Sequence, residues 1–319
     1  MFSEDLIKLA LKIMSCSQKE LASQLGVSPT QISKWKKGEY MSTDMEKRIR
    51  TELKIDDKDP AFILWAGSLE QSAKWERLIL FLSERAQEHS DTGYKTYPLS
   101  DEMGTLCWET FHTLKKMGVN FPKNFPDVLD IDYDHVYEND ESDNILDKLE
   151  ENSYSAHIYK IYRALNDVYA FYAAYISELV LDDDLDLLDV GNDIESCLME
   201  LAATKIEVDE AFAPDFSKFR YEVVRNYKEW LKIVKDKAFR AGVPLRAELM
   251  QLVYDSHDEL GHEAEAESLG FNFSRIHPDV YMNELLCGMR VIHQVLPLIM
   301  KKLGIYDEYK VDDSDLTLG

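Results

Sequence analysis

Apolar residues recur in steps of three and four along most of the chain, and no stretch alternates convincingly as a strand would. Residues 3–14 put Leu6, Leu9, Ala10 and Ile13 on one face of an amphipathic helix. Ser15 or Ser17 can cap the next helix, residues 18–25, and Glu20 lies three residues after Ser17, a capping-box spacing. Gly26 follows the last apolar position, where a left-handed cap favours a residue without Cβ. Val27 then turns inward. Ser28 caps a third helix with Pro29 at its first position, where the missing N–H costs nothing. Ile32 and Trp35, three apart, close a small core with Leu21, Ala22, Leu25 and Val27. Thr43 and Glu46 have capping-box spacing for a fourth helix, which runs to about Leu53.

Beyond residue 60 the pattern predicts helices over 61–87, 101–117, 153–181, 185–206, 215–240, 244–260, 263–269 and 278–303. Gly67 is placed to break the first. Loops rich in Gly, Pro or Asn separate them at 90–100, 118–127 and 241–244. No repeat at 34 residues or any other period is convincing. Tyr154, Ile158, Tyr162, Leu165, Tyr169, Tyr172, Ile176 and Leu179 form one wide stripe. Such a stripe is read as core or subunit interface, with a pocket whose phenols orient a small effector as the alternative. The last helix carries Leu285, Leu286, Met289, Ile292, Val295, Leu296 and Ile299, which suits a buried or dimer-forming helix.

The second and third helices form a helix-turn-helix, with small Ala22 where they cross, Gly26 at the turn, and Val27, Ile32 and Trp35 at set distances. The segment 18–38, QKELASQLGVSPTQISKWKKG, resembles the Cro/CI/Xre family of DNA-binding domains. The likeness extends loosely to Leu53, about a sixth of the chain. Members of that family usually continue with a proline-led fourth helix and often a fifth. Here Ser42-Thr43 stands in place of the proline, and no fifth helix is evident before Asp56-Asp57. The resemblance implies that the third helix enters the major groove with Pro29, Thr30, Ser33 and Lys34 toward the bases. Pro29 offers only apolar contact, as to a thymine methyl. Thr30 and Ser33 donate or accept softly, and Lys34 suits the O6/N7 edge of guanine. Gln18 and Ser28, at helix N-termini, suit phosphate oxygens, as do Gln31, Lys36 and Lys37.

Taken whole, the charge opposes this. The chain has 36 Lys+Arg against 60 Asp+Glu, a net −24, and phosphate binding needs cations. Residues 1–58, however, hold eleven Lys/Arg against nine Asp/Glu, so they carry +2, and the remainder carries −26. The polar run 55–60 ends in Pro60 and is taken as the boundary. We therefore expect an all-α protein: a small N-terminal helix-turn-helix bundle over 1–58, then a larger irregular helical domain over 59–319 that dimerises or senses an effector. The acidic clusters 127–151, 182–195 and 307–315 are read as solvated loops that keep the body off DNA.

At 45% apolar the chain is too hydrophobic to be disordered. It has no signal-peptide pattern and no eighteen-residue apolar run, so a soluble, cytoplasmic protein is expected. Cys16, Cys107, Cys197 and Cys287 are scattered and form no zinc pattern. The fragments 130–134 and 182–186 look like calcium loops, but His135 and Leu187 replace the glycine at position six, and the second has Asp193 at position twelve. Glu109/His112 and Glu259/His262 have the spacing of di-iron helical bundles, although His257 and His262 miss the HExxH spacing. No nucleophile elbow, P-loop or dinucleotide fingerprint occurs, so no enzyme and no cofactor are implied. The sequence thus points to a DNA-binding transcriptional regulator, read as a homodimeric repressor of phage or mobile-element type. Double-stranded DNA is its partner, and the body is open to a small-molecule, peptide or protein effector. A helical metal-binding protein or enzyme with a DNA-binding head, or an antitoxin-like interaction protein, remains the alternative.

Overall fold

The computed structural model describes residues 3–133, 136, 142–183, 185–241, 245, 247–254, 260–271 and 282–306. All its regular elements are helical, with no strand among the described residues. Helix α1 (Ser3–Ile13) is followed by α2 (Gln18–Leu25), α3 (Pro29–Trp35), α4 (Thr43–Leu53) and α5 (Pro60–Ala66). Their common core is built from Leu6, Ile7, Ala10, Leu21, Ala22, Leu25, Ile32, Trp35, Ile49, Leu53, Ile55 and Ile63.

Two details of α1 and α4 differ from expectation. Ile13 is exposed, and fully buried Ile7 fills the face instead. The bundle closes around the N-terminal part of α1, so the inward stripe is Leu6, Ile7, Leu9 and Ala10. At α4 the cap is Ser42, which accepts from the Met45 N–H, and no Thr43–Glu46 capping box forms. Glu46 is engaged by Arg50 at 2.8 Å one turn on.

The fifth helix lies just past Asp56-Asp57. Asp59 caps α5 by accepting from the Ala61 and Phe62 N–H groups, and Pro60 holds its first position. Burial pushes the Asp59 carboxyl above its ordinary range against these two bonds. The connecting residues are tied down: Arg50 donates to the Asp56 and Lys58 carbonyls at 3.2 and 2.9 Å, and Ile55 is buried. One side of α5 gives Ile63 to the N-terminal core, while Phe62 and Ala66 join the second core. Lys12 of α1 donates to the Gly67 carbonyl at 2.8 Å. Gly67, at φ +102, separates α5 from α6 (Leu69–Glu88), the break expected there.

The second core surrounds α9 (Ser153–Phe171), against which α6, α12 (Leu198–Ala203) and α15 (Leu260–Ser268) pack. Helix α7 (Leu106–Lys116) starts five residues later than the pattern suggests. Asp101 takes a left-handed turn, and its carboxylate accepts the Leu106 N–H at 2.9 Å. Helix α8 (Ser142–Glu151) precedes α9, and α9 continues through a π-helical turn, Tyr172–Ile176, into α10 (Ser177–Leu181). The expected helix 185–206 is two, α11 (Leu188–Glu195) and α12, parted near Ser196. Helix α13 (Phe216–Ala241) matches its prediction closely. Of the segment 244–260, a 3₁₀ turn Ala247–Met250 and the short α14 (Gln251–Tyr254) are described; Gly242, Val243, Pro244 and 255–259 lie outside the described residues. The last helix is α16 (Met282–Leu303); Pro278 lies outside them, as does the cluster 307–315.

Trp75 is the hub of this core. Its fully buried ring meets Phe111, Phe121, Phe125 and Tyr154 edge-on, with centroids 4.9–6.0 Å apart. The tyrosine stripe of α9 is core too. Tyr162 shares a 2.6 Å hydrogen bond with Thr110, and Tyr154 donates to the Asn120 carbonyl at 2.7 Å. Tyr172 donates to Glu195. These phenols are bound within the fold, which removes them as the orienting groups of an effector pocket.

Candidate nucleic-acid interface

The approach of α2 to α3 is set by local chemistry. Ser17, not Ser15, caps α2: it accepts from the Glu20 N–H, and its own N–H donates to Glu20 at 2.7 Å. This hydrogen bonding holds the Glu20 carboxyl below its usual range. Gly26 at φ +68 ends the helix, and Val27 N–H returns to the Ala22 carbonyl at 2.9 Å. A side chain here would be held in a left-handed conformation that L residues rarely adopt. Ser28 caps α3 by accepting the Gln31 N–H at 3.1 Å.

The assigned residues lie on α3 or beside it and at the start of α2, and none is fully buried. Ser28, Pro29, Thr30, Lys34 and Lys37 are exposed; Gln18, Gln31, Ser33 and Lys36 are half-buried. Ser33 donates to the Gln18 side-chain oxygen at 3.1 Å, which fixes α3 against the start of α2 and leaves the Gln18 NH₂ as a donor. Lys34 lies 3.5 Å from Glu39, both about half exposed. An ion pair this exposed is weak, so Lys34 can exchange Glu39 for a base edge.

Several supports were not legible from spacing. Arg48 of α4 donates to the Leu25 and Gln24 carbonyls at 3.1 and 3.0 Å, capping the end of α2 from 23 and 24 residues away. The Ser3 hydroxyl stands 3.0 Å from the Trp35 carbonyl and 2.6 Å from that of Glu39, and its single proton serves one at a time. Trp35 Nε1 donates to the Tyr40 carbonyl at 3.0 Å. Of the six cations between Gly26 and Arg50, Arg48 and Arg50 are therefore engaged by the fold. Lys34, Lys36 and Lys37 lie on or just after α3, and Lys47 is exposed on α4. A cleft of about 330 Å³ lies nearby, bordered by Ser3, Tyr40, Glu46, Arg50 and Pro60.

The metal candidates do not converge. Glu109 accepts from Thr105 at 2.9 Å, and burial raises its carboxyl. His112 stacks on Trp108 with centroids 4.7 Å apart, and burial lowers its pKa. The pair Glu259/His262 cannot be placed, because Glu259 and His257 lie outside the described residues, as do Asp134, His135 and Asp184 of the two calcium-like fragments. Among the described residues no three His, Cys, Asp or Glu side chains are grouped as a metal site requires. No described helix is long and apolar enough to cross a membrane.

The helix-turn-helix family model matches residues 7–47. The N-terminal segment is thus a helix-turn-helix of the Cro/CI/Xre type, joined to a helical body that this family does not cover. Neither the curated proteins nor the solved structures contain a match to the chain.

Proposed function

We propose that the protein is a cytoplasmic, sequence-specific DNA-binding regulator of transcription, a homodimeric repressor of phage or mobile-element type. The observation that carries this is the reading face of α3, presented on a capped and braced helix-turn-helix of a DNA-binding family. Thr30, Ser33 and Lys34 meet base edges, with Pro29 in apolar contact. Gln18, Ser28, Gln31, Lys36 and Lys37 hold phosphates. Residues 1–58 read DNA, and 59–319 dimerise and respond to an effector.

The acidic body makes docking directional: only the N-terminal face approaches phosphate without repulsion. A head with so few free lysines binds weakly alone, and two heads reading half-sites a helical turn apart compensate. We expect the purified protein to bind its own promoter region. With two or three lysine–phosphate contacts in each of two heads, log K should fall against log salt with a slope of about −4 to −5. Binding to no genomic fragment, or a slope near zero, would remove the proposal. Stoichiometric metal in the purified protein, or co-purification of a small basic protein, would instead support the metal-binding or antitoxin-like alternative.

A further inference from the structure

Helix α16 is amphipathic, and among the described residues nothing covers most of its apolar side from Met289 on. Eight large apolar side chains between Met289 and Leu303 stand 42–66% exposed. Together they leave roughly 750 Å² of apolar surface, close to the ~800 Å² that each partner buries in a stable interface. Isolated patches on monomers are usually no larger than a few hundred Å².

The spacing of this surface is specific. Met289, Ile292, Leu296, Ile299 and Leu303 follow one another in steps of three, four, three and four, and Leu285 precedes Met289 by four. That is a repeat of 3.5 residues, the period of a seam packed against another helix. A lipid surface asks for a broad face with no fixed period and a polar side rich in cations; off the seam α16 has three cations, Arg290, Lys301 and Lys302, beside His293, Gln294 and Pro297, so it is the 3.5-residue period that favours a helix as the occupant.

Charge narrows the occupant. The chain carries −24, so two copies repel over most of their surfaces. Yet residues 285–306 contain no Asp or Glu, in a chain with 60. This helix is where two such acidic molecules can touch without opposing carboxylates.

We propose that α16 pairs with α16 of a second copy along the seam Met289–Ile292–Leu296–Ile299–Leu303. The proposal rests on the dimeric regulator described above and supplies its surface. It also joins the two heads through the end of the chain farthest from them in sequence.

The test is sedimentation equilibrium of the full chain, beside Ile292→Asp/Ile299→Asp and a control on the face away from the seam, Gln294→Asp/Lys301→Asp. All four positions are exposed, so neither variant places charge in a core; circular dichroism confirms the fold. Wild type and control should run at twice the 37.0 kDa chain mass at micromolar concentration. The seam variant should run at the single-chain mass, its dimer weakened about 100-fold or more. A milder variant, Ile292→Ser/Ile299→Ser, should fall between them.

A monomeric wild type, or a seam variant with wild-type dimer affinity, overturns the proposal. Wild type that stays monomeric but floats with anionic vesicles overturns it in favour of a lipid surface. DNA binding is read separately: a dimer that binds no DNA defeats the regulator and leaves the seam standing. Specific binding by a stable monomer does the reverse.

Discussion

Trp75→Ala should lower the stability of the helical body by about 3–5 kcal/mol. The ring is fully buried and touches four aromatic rings from three other parts of the chain: Phe111 of α7, Phe121 and Phe125 of the following loop, and Tyr154 of α9. Removing it opens a cavity that these rings, already wedged edge-on, cannot refill. Trp75→Phe should cost much less, and the reason is specific. The indole N–H has no hydrogen-bond partner among the described residues, so phenylalanine gives up volume but no polar contact. Thermal unfolding followed by near-UV circular dichroism should show the alanine variant melting on the order of 10 °C lower. The phenylalanine variant should lie between the two. If both melt with the wild type, Trp75 is not the centre of the core.

Thr30→Ala combined with Lys34→Ala should weaken binding to a selected operator by about 2–6 kcal/mol per head, since each good base contact contributes about 1–3 kcal/mol. Both side chains are exposed on α3 and take no part in its packing, which rests on Ile32 and Trp35. Loss of affinity would therefore report the interface and not the fold. Non-specific binding should survive, because Lys36 and Lys37 still hold phosphate. Equilibrium titration of the operator and of an unrelated duplex separates the two terms. Equal loss on both duplexes would place Thr30 and Lys34 in backbone contact, not base readout.

Much of the N-terminal bundle could be read from the chain because its determinants are local. A cap and its partner lie three residues apart, and the Gly26 turn follows directly on the last apolar position of α2. Hydrogen bonds such as Ser17 to Glu20 need no knowledge of the rest of the molecule. Where distant residues decide, reading failed. Arg48 reaches Leu25 across 23 positions, and Ser3 reaches Trp35 across 32. The same limit explains α5. Its sequence, PAFILWA, is apolar enough to be buried all round, and it is Ile63 meeting the core of α1 that makes it the fifth helix of the bundle.

In the body, periodicity found most of the helices but not their breaks. The π-helical turn Tyr172–Ile176 preserves the three- and four-residue rhythm well enough to look like uninterrupted helix. The tyrosine stripe was legible as a buried face, yet the acceptors of its hydroxyls, Asn120 and Glu195, lie in other elements. Charge was the most informative bulk quantity once divided. A net −24 concealed a +2 N-terminal segment, and a run of 22 residues without a carboxylate, 285–306, that takes in most of α16.

The central claim is that the exposed face of α3 reads bases. It is tested most directly by selecting bound sequences from a randomised duplex pool, with wild type and with Thr30→Gln. A glutamine pairs bidentately with adenine, whereas threonine discriminates softly. Wild type should enrich a motif of two related half-sites. The variant should enrich the same motif changed toward adenine at one position in each half-site. Enrichment of an identical motif by both proteins, or of none by the wild type, would contradict the claim.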